Sequence, residues 1–211
     1  MHELEHPWTL EEAAFDAGFE TVCGTDEAGA GPLAGPVYAA AVVLPRGLII
    51  DGLNDSKKLS PKKRDELYGV ICADAISFAV ASASVAEIEK LNILNARMLA
   101  MSRAIEGLNI PPDYVLIDGN RDCGGQCHVT DLHHETVIGG DGKSASIAAA
   151  SILAKVSRDR YVCEVLGREY PEYQFAKHKG YGTKLHYEML DKYGPCPEHR
   201  MSFLKKWEER K

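Results

Sequence analysis

Short apolar runs closed by turn residues and longer apolar-polar stretches with helix start signals follow one another along this chain. Thr9-Leu10-Glu11-Glu12 has the form of a capping box and predicts a short helix from about Thr9. Phe19 to Glu27 reads as a strand running into a glycine turn, Gly29-Ala30-Gly31-Pro32, and Pro36 to Leu44 as its hairpin partner. Ser60 followed by Pro61 opens a helix through about Ala73, and Ile76 to Ala83 reads as a strand. Helix follows from Ser84, with a second from about Asn95 to Gly107. Tyr114 to Ile117, bounded by Pro-Pro-Asp and Asp-Gly-Asn, marks a buried strand, and Thr136-Val137-Ile138 a weaker one. Ser144 to about Leu166 is Ala-rich and helical until Pro171 stops it. Thr183 caps a helix to about Tyr193, and Pro197 is expected to introduce the last.

A strand hairpin, then strands alternating with helices, then helices alone predicts a mixed sheet covered by helices, with a helical C-terminal extension. Ligands of such sheets gather beyond the carboxyl ends of the strands. Three predicted strands lead into acids there: Asp26-Glu27, Asp118, and Asp141 beyond Gly139-Gly140. Any one of them is an ordinary turn former. Asp26-Glu27 is harder to set aside, because two adjacent carboxylates precede a turn with two closely spaced glycines.

The 211 residues suit one domain. No apolar run approaches a membrane span, and Met1 to His6 lacks the pattern of a secretory leader, so a cytoplasmic protein is expected. The six cysteines then read as free thiols. Cys123, Cys127 and His128 lack the second pair of a structural zinc site. The net charge of -7 is uneven: residues 142–211 carry +5 and residues 1–141 carry -12. The basic third can track phosphates despite the acidic total. No Lys-Ser/Thr follows the glycine turn where a phosphate-binding loop requires it, which disfavours nucleoside triphosphate hydrolysis.

If the strands are neighbours, four carboxylates crowd together. Two such charges about 5 Å apart repel by roughly 3 kcal/mol at an effective dielectric of 20. The cluster must take up protons or cations, and all-oxygen ligands favour Mg²⁺ or Mn²⁺. Two such ions stabilise the attacking and leaving oxygens of a displacement at phosphorus. The residues by themselves therefore indicate metal-assisted phosphodiester hydrolysis.

At these positions the chain resembles the bacterial ribonuclease HII family, from about Cys23 to Phe203. The matching stretches include Gly24-Thr25-Asp26-Glu27-Ala28-Gly29, Asn54-Asp55-Ser56-Lys57-Lys58-Leu59, Asn92-Ile93-Leu94-Asn95-Ala96, Leu116-Ile117-Asp118-Gly119-Asn120 and Gly140-Asp141. Ala148 to Asp159, His178-Lys179-Gly180-Tyr181-Gly182-Thr183 and His199-Arg200-Met201-Ser202-Phe203 complete the series. The resemblance implies an α/β ribonuclease H-like fold: a five-stranded mixed sheet flanked by helices, with a C-terminal helical segment from about residue 183. It implies that Asp26, Glu27, Asp118 and Asp141 hold two Mg²⁺ or Mn²⁺ ions, with Asp26 shared. Substrates would be RNA/DNA hybrids and DNA carrying single ribonucleotides, cut 5′ to the ribonucleotide to leave 3′-hydroxyl and 5′-phosphate ends. Gly29, Ala30 and Gly31 together with Tyr181 would sense the 2′-hydroxyl.

The family's turn usually reads Gly-Arg-Gly, so Ala30 lacks a guanidinium expected near a phosphate. Lys155 and Lys179 lie inside matched motifs and are expected at phosphates. Lys143, Lys177, Lys184, Arg200 and the Ser56-Lys57-Lys58 segment are further candidates. Asp159 competes for the place of fourth acid, although its position within a long helix suits an ion pair. Two other readings stay open: a nuclease that needs several consecutive ribonucleotides, and a non-catalytic hybrid-binding protein. A monomer is expected, since no coiled-coil heptad run is evident.

Overall fold

The computed structural model describes residue 4 and residues 6–124 and 127–209 of the chain. Met1, His2, Glu3 and Glu5, part of the stretch read for a leader, lie outside the described residues. In order, the elements are α1 Thr9–Asp16, β1 Val22–Ala28, β2 Val37–Val43, α2 Pro61–Asp74, β3 Ser77–Ala83, α3 Val85–Leu91 and α4 Ile93–Glu106. They continue with β4 Tyr114–Asp118, β5 Cys123–Gly124, β6 Cys127–His128, β7 His133–Val137, α5 Ala145–Arg160, α6 Gly167–Glu169, α7 Phe175–His178, α8 Lys184–Tyr193 and α9 Lys205–Glu208.

A five-stranded sheet runs in the order β3-β2-β1-β4-β7, and β5 and β6 form a separate two-stranded ladder. β1, β2 and β3 pair antiparallel, whereas β1-β4 and β4-β7 are parallel. The sheet is therefore mixed, and β1, β4 and β7 all end at the same edge. Alternate residues of β2 divide between two cores. Ala40 and Val42 pack under α5, while Val37, Ala39, Ala41 and Val43 pack under α4. Residues 145–154 of α5 are all buried, which explains a helix rich in alanine rather than one with a polar stripe.

Two glycines allow α5 to lie where it does. A Cβ on Gly24 would fall 2.3 Å from the amide nitrogen of Ile147, so only glycine lets the helix start sit on β1. A Cβ on Gly140 would stand 2.5 Å from the Ile147 side chain and 3.2 Å from Asp118 Oδ1. The start of α5 and the ends of β1 and β4 are pressed together in this way.

Two sequence expectations need correction. Thr9 forms no capping box: the cap position is Trp8, and the Thr9 hydroxyl donates to the His6 carbonyl. Glu11 instead turns inward, where its Oε1 accepts from the hydroxyls of Ser144 and Ser146 and from the Ser146 amide. The unpaired donors at the start of the buried helix α5 outcompete those of a short surface helix. Pro197 does not open a helix. His199 pairs with Ala34 in an isolated bridge, and among the described residues one 3-10 turn, Met201–Phe203, and α9 follow. The helix after Ser144 runs through Leu166 as expected, α-helical to Arg160 and then widened into a π-turn over Tyr161–Leu166. The other predicted strands and helices form, although β7 runs His133–Val137 rather than reaching Ile138, and the β5-β6 ladder, α6 and α7 were not anticipated. The helix expected from Ser84 starts with a complete capping box of Ser84 and Glu87.

Candidate active site

The strand register brings the acids to one edge. Thr25 pairs with Ile117, so Asp26 and Asp118 stand side by side on neighbouring parallel strands. Asp26 alternates with Gly24, and both face α5; Glu27 falls on the opposite face, where Arg97 of α4 reaches its Oε1 at 3.2 Å. Asp141 arrives on the 3-10 turn Gly140–Gly142 just before α5. Asp118 Oδ1 accepts from the Gly140 amide at 2.7 Å and ties that turn to the end of β4.

The four acids feel one another's charge. Burial, then repulsion from Glu27, Asp118 and Asp141, pushes the Asp26 carboxyl well above its ordinary range. Burial also raises Glu27, against the pull of Arg97, and Asp141, against the pull of Lys57. Lys57 Nζ lies 3.2 Å from Asp141 Oδ2 although its side chain is 76% exposed. Two cations thus flank four carboxylates. Neither Lys57 nor Arg97 was singled out for this task in the sequence, where lysine and arginine read as outward-facing charges.

Among the described residues, no three His, Cys, Asp or Glu side chains already form a metal cage. The reason is visible in the contacts: Glu27 and Asp141 are each turned to a cation, and Asp118 to backbone amides. The donor set nevertheless fits hard divalent cations, being all oxygen, half-buried or deeper, and short of positive charge at Asp26.

The glycine turn lies directly beyond β1 and rests on two buried arginines. Gly29 has φ +97°, and a Cβ there would meet Arg158 Nε at 2.1 Å. Arg158 donates to the carbonyls of Ala34, Pro36 and Lys179. Arg200 donates to those of Gly29, Ala30 and Gly35. Both side chains are fully buried, so Arg200 is not the phosphate contact expected from the sequence. Its guanidinium holds the turn from inside.

The same clamp brings Tyr181 to the turn. Leu33 donates its amide to Gly180 O, and a Cβ on Gly180 would stand 2.6 Å from Ala34 O. Tyr181 is 41% exposed, with Lys155 Nζ 5.6 Å and Arg158 Cζ 5.8 Å from its ring centroid. Asp159 belongs to another arrangement. It bonds Lys155 at 2.7 Å and Lys179 at 2.6 Å, and these two lysines hold its carboxyl below the ordinary range despite burial. It is an ion-pair centre beside Tyr181. Of the weaker basic candidates, Lys143 donates to Ile138 O, Lys177 to Gln174, and Lys184 lies exposed 3.8 Å from Glu188.

Acids at the ends of adjacent strands of a mixed sheet, beside an exposed backbone turn, define a metal-dependent phosphodiester hydrolase of the ribonuclease H type. Comparison with known proteins narrows the class. The family model described as Ribonuclease HII matches residues 23–206. A Ribonuclease HII of Caldicellulosiruptor bescii is 52% identical over 207 residues, covering 97% of each chain. The ribonuclease H2 of Pyrococcus horikoshii OT3 superposes with a TM-score of 0.72 at 27% identity, over 90% of this chain and 98% of that one. Bst-RNase HIII, solved in complex with Mn²⁺, shares the fold at a TM-score of 0.61 and 20% identity, over 86% of this chain and 65% of that one. This chain belongs to the ribonuclease HII family. It is a metal-dependent endoribonuclease with the α/β ribonuclease H fold expected from its sequence. No helix among the described residues is long and apolar enough to cross a membrane.

Proposed function

We propose that the protein cleaves the RNA-containing strand of RNA/DNA hybrids and cuts DNA 5′ to single embedded ribonucleotides, leaving 3′-hydroxyl and 5′-phosphate ends. The observation that carries this reading is that Asp26 and Glu27 lead into the Gly29-Ala30-Gly31 turn with Asp118 and Asp141 beside them, while Arg158 on Lys179 O and Leu33 on Gly180 O tie the Tyr181 segment to the continuation of that turn. Asp26, Glu27, Asp118 and Asp141 would hold two Mg²⁺ or Mn²⁺ ions, with Asp26 shared. When bound, the ions would activate water and neutralise charge on the scissile phosphate. Lys57 and Arg97 offset the acids' repulsion until then. The backbone of Gly29, Ala30 and Gly31 and the Tyr181 ring would meet the ribose, where a site built around a hydroxyl rejects its absence by roughly 10⁴ or more. Lys155 and Lys179, bridged by Asp159, would present one net positive charge to the backbone of the duplex. The chain would act as one cytoplasmic catalytic unit and as a monomer, initiating ribonucleotide removal from DNA.

The test is incision of a duplex bearing one ribonucleotide, with Mg²⁺ or Mn²⁺ in turn. Cleavage 5′ to the ribonucleotide supports the reading, and a folded protein inert with both ions sinks it. Ala30 supplies a second measurement. Ala30→Arg is expected to lower KM about tenfold to a hundredfold, the worth of one charge-assisted hydrogen bond to phosphate. It should also steepen the dependence of log affinity on log salt by roughly one phosphate. Single-ribonucleotide and four-ribonucleotide duplexes assayed side by side decide whether Ala30 restricts the enzyme to longer RNA stretches.

A further inference from the structure

Behind Tyr181 lies a group of buried histidines that the proposed chemistry does not use. His178, His186 and His199 come from α7, the start of α8 and the segment that bridges Ala34. The rings of His178 and His186 stack at 4.2 Å, and those of His186 and His199 lie 5.2 Å apart. Phe175 packs against all three, and Tyr173 against His199.

Their hydrogen bonds fix every proton. His199 Nδ1 receives the Cys196 amide at 2.9 Å, so that nitrogen is bare and the proton sits on Nε2. His199 Nε2 faces His186 Nε2 at 3.0 Å and must donate to it. His186 is then left with its proton on Nδ1, which stands 3.0 Å from the Tyr181 carbonyl and donates to it. His178 works alongside: its Nδ1 receives the Gly180 amide at 3.2 Å, and its Nε2 donates to Tyr173 O at 2.8 Å. The peptide groups on either side of the Gly180-Tyr181 junction are therefore gripped by imidazoles.

We infer that His186 and His199 are positioning residues for Tyr181: a directional hydrogen-bond relay from the Cys196 amide through two neutral imidazoles to the Tyr181 carbonyl sets the phenol ring against the glycine turn. The inference rests on the reading that Tyr181 meets the ribose. The relay works only when both rings are neutral. A proton added to His186 Nε2 would oppose two N–H groups at 3.0 Å, and one added to His199 Nδ1 would oppose the Cys196 amide. The surroundings keep them neutral. The rings face one another, Phe175, Tyr173 and the Cys196 thiol, and no carboxylate pairs with any of the three among the described residues. Arg200, next along the chain, directs its charge to the carbonyls of the turn. Burial accordingly pushes His186 and His199 down to about 4.

The test is a double-mutant cycle on the full chain with Mg²⁺ and a single-ribonucleotide duplex. His186→Leu is expected to lower kcat/KM about tenfold when Tyr181 is present and by less than about twofold in a Tyr181→Ala background, because a residue acting through the ring has nothing to position once the ring is gone. His186→Gln, which keeps one donor and one acceptor, should recover most of the loss. Equal losses in both backgrounds overturn the inference while leaving the ribose reading intact. No loss from Tyr181→Ala itself overturns the ribose reading, and the inference with it. Should His186→Leu fail to fold, nitrogen-15 NMR of the wild-type histidines decides. His186 protonated on Nδ1 and His199 on Nε2 support the relay, and His186 protonated on Nε2 removes it.

Discussion

Asp26→Asn is expected to reduce incision by on the order of 10³-fold or more while making the metal-free protein more stable. The two effects share one cause. Asp26 is buried at the centre of four carboxylates, and burial and their repulsion raise its pKa. A carboxyl raised on folding favours the native state most when protonated. That contribution is complete below the unfolded value and is lost as pH rises through the raised folded one. At neutral pH the ionised cluster therefore works against the fold. Asparagine removes the charge, can still accept from the Glu27 amide that Asp26 Oδ1 receives at 2.7 Å, and adds an N–H donor among acids. A gain on the order of 1 kcal/mol is expected at pH 7, shrinking as pH falls toward the carboxylate range. Thermal melts in chelator and in Mn²⁺ check this. The wild type should gain strongly from the ion and the variant little, since stabilisation by a ligand scales with its affinity for the native state. A variant that cuts normally, or that melts lower than wild type in chelator, would show that Asp26 does not lie at the centre of a metal-binding cluster.

The acids were legible in the sequence because each follows a strand-like run, and strand ends are where such sheets present ligands. Asp26 and Asp118 became neighbours only through the parallel pairing of β1 with β4, which the order of elements suggests and local pattern cannot specify. Lys57 was read as a candidate phosphate contact and Arg97 as part of a helix, since nothing local shows that a cation will fold back over an acid more than 60 residues away. Burial of charge was the least visible feature. Arg158 and Arg200 sit in the basic C-terminal third, and basic residues there read as phosphate contacts. The available signal was the glycine turn itself: Gly29, Gly31 and Gly35 leave a run of carbonyls with few side chains to cover them, and a guanidinium carries donors in a fork that suits several carbonyls at once. The histidines were hidden for the same reason, since their partners are backbone groups that leave no trace in composition.

Arg200→Lys provides the second large effect, because the buried clamp and the phosphate contact predict opposite behaviour. As a phosphate contact, lysine would retain the charge, stability would be unchanged, and the loss would fall on substrate affinity. The structure instead places the guanidinium at 0% exposure, with Nε on Gly35 O, Nη1 on Ala30 O, and Nη2 on both Gly29 O and Gly35 O. A lysine ammonium has no planar fork and cannot reach three carbonyls in these directions. At least one carbonyl would lose its donor, and an ammonium, hydrated more strongly than a guanidinium, would be buried without a carboxylate. Together these should cost on the order of 3 kcal/mol of folding stability. Arg200 already shows the strain of its setting, since burial and then repulsion from Arg158 lower its pKa to about 9. The turn bearing Gly29 and Ala30 would loosen, and a displacement near 1 Å at the ribose is worth about 10² in rate. The expected result is a clear drop in melting temperature and a fall in kcat on a single-ribonucleotide duplex, with the salt dependence of binding unchanged because no phosphate contact is removed. A variant as stable as wild type that binds DNA less tightly and with a shallower salt dependence would return Arg200 to the surface role its sequence suggested.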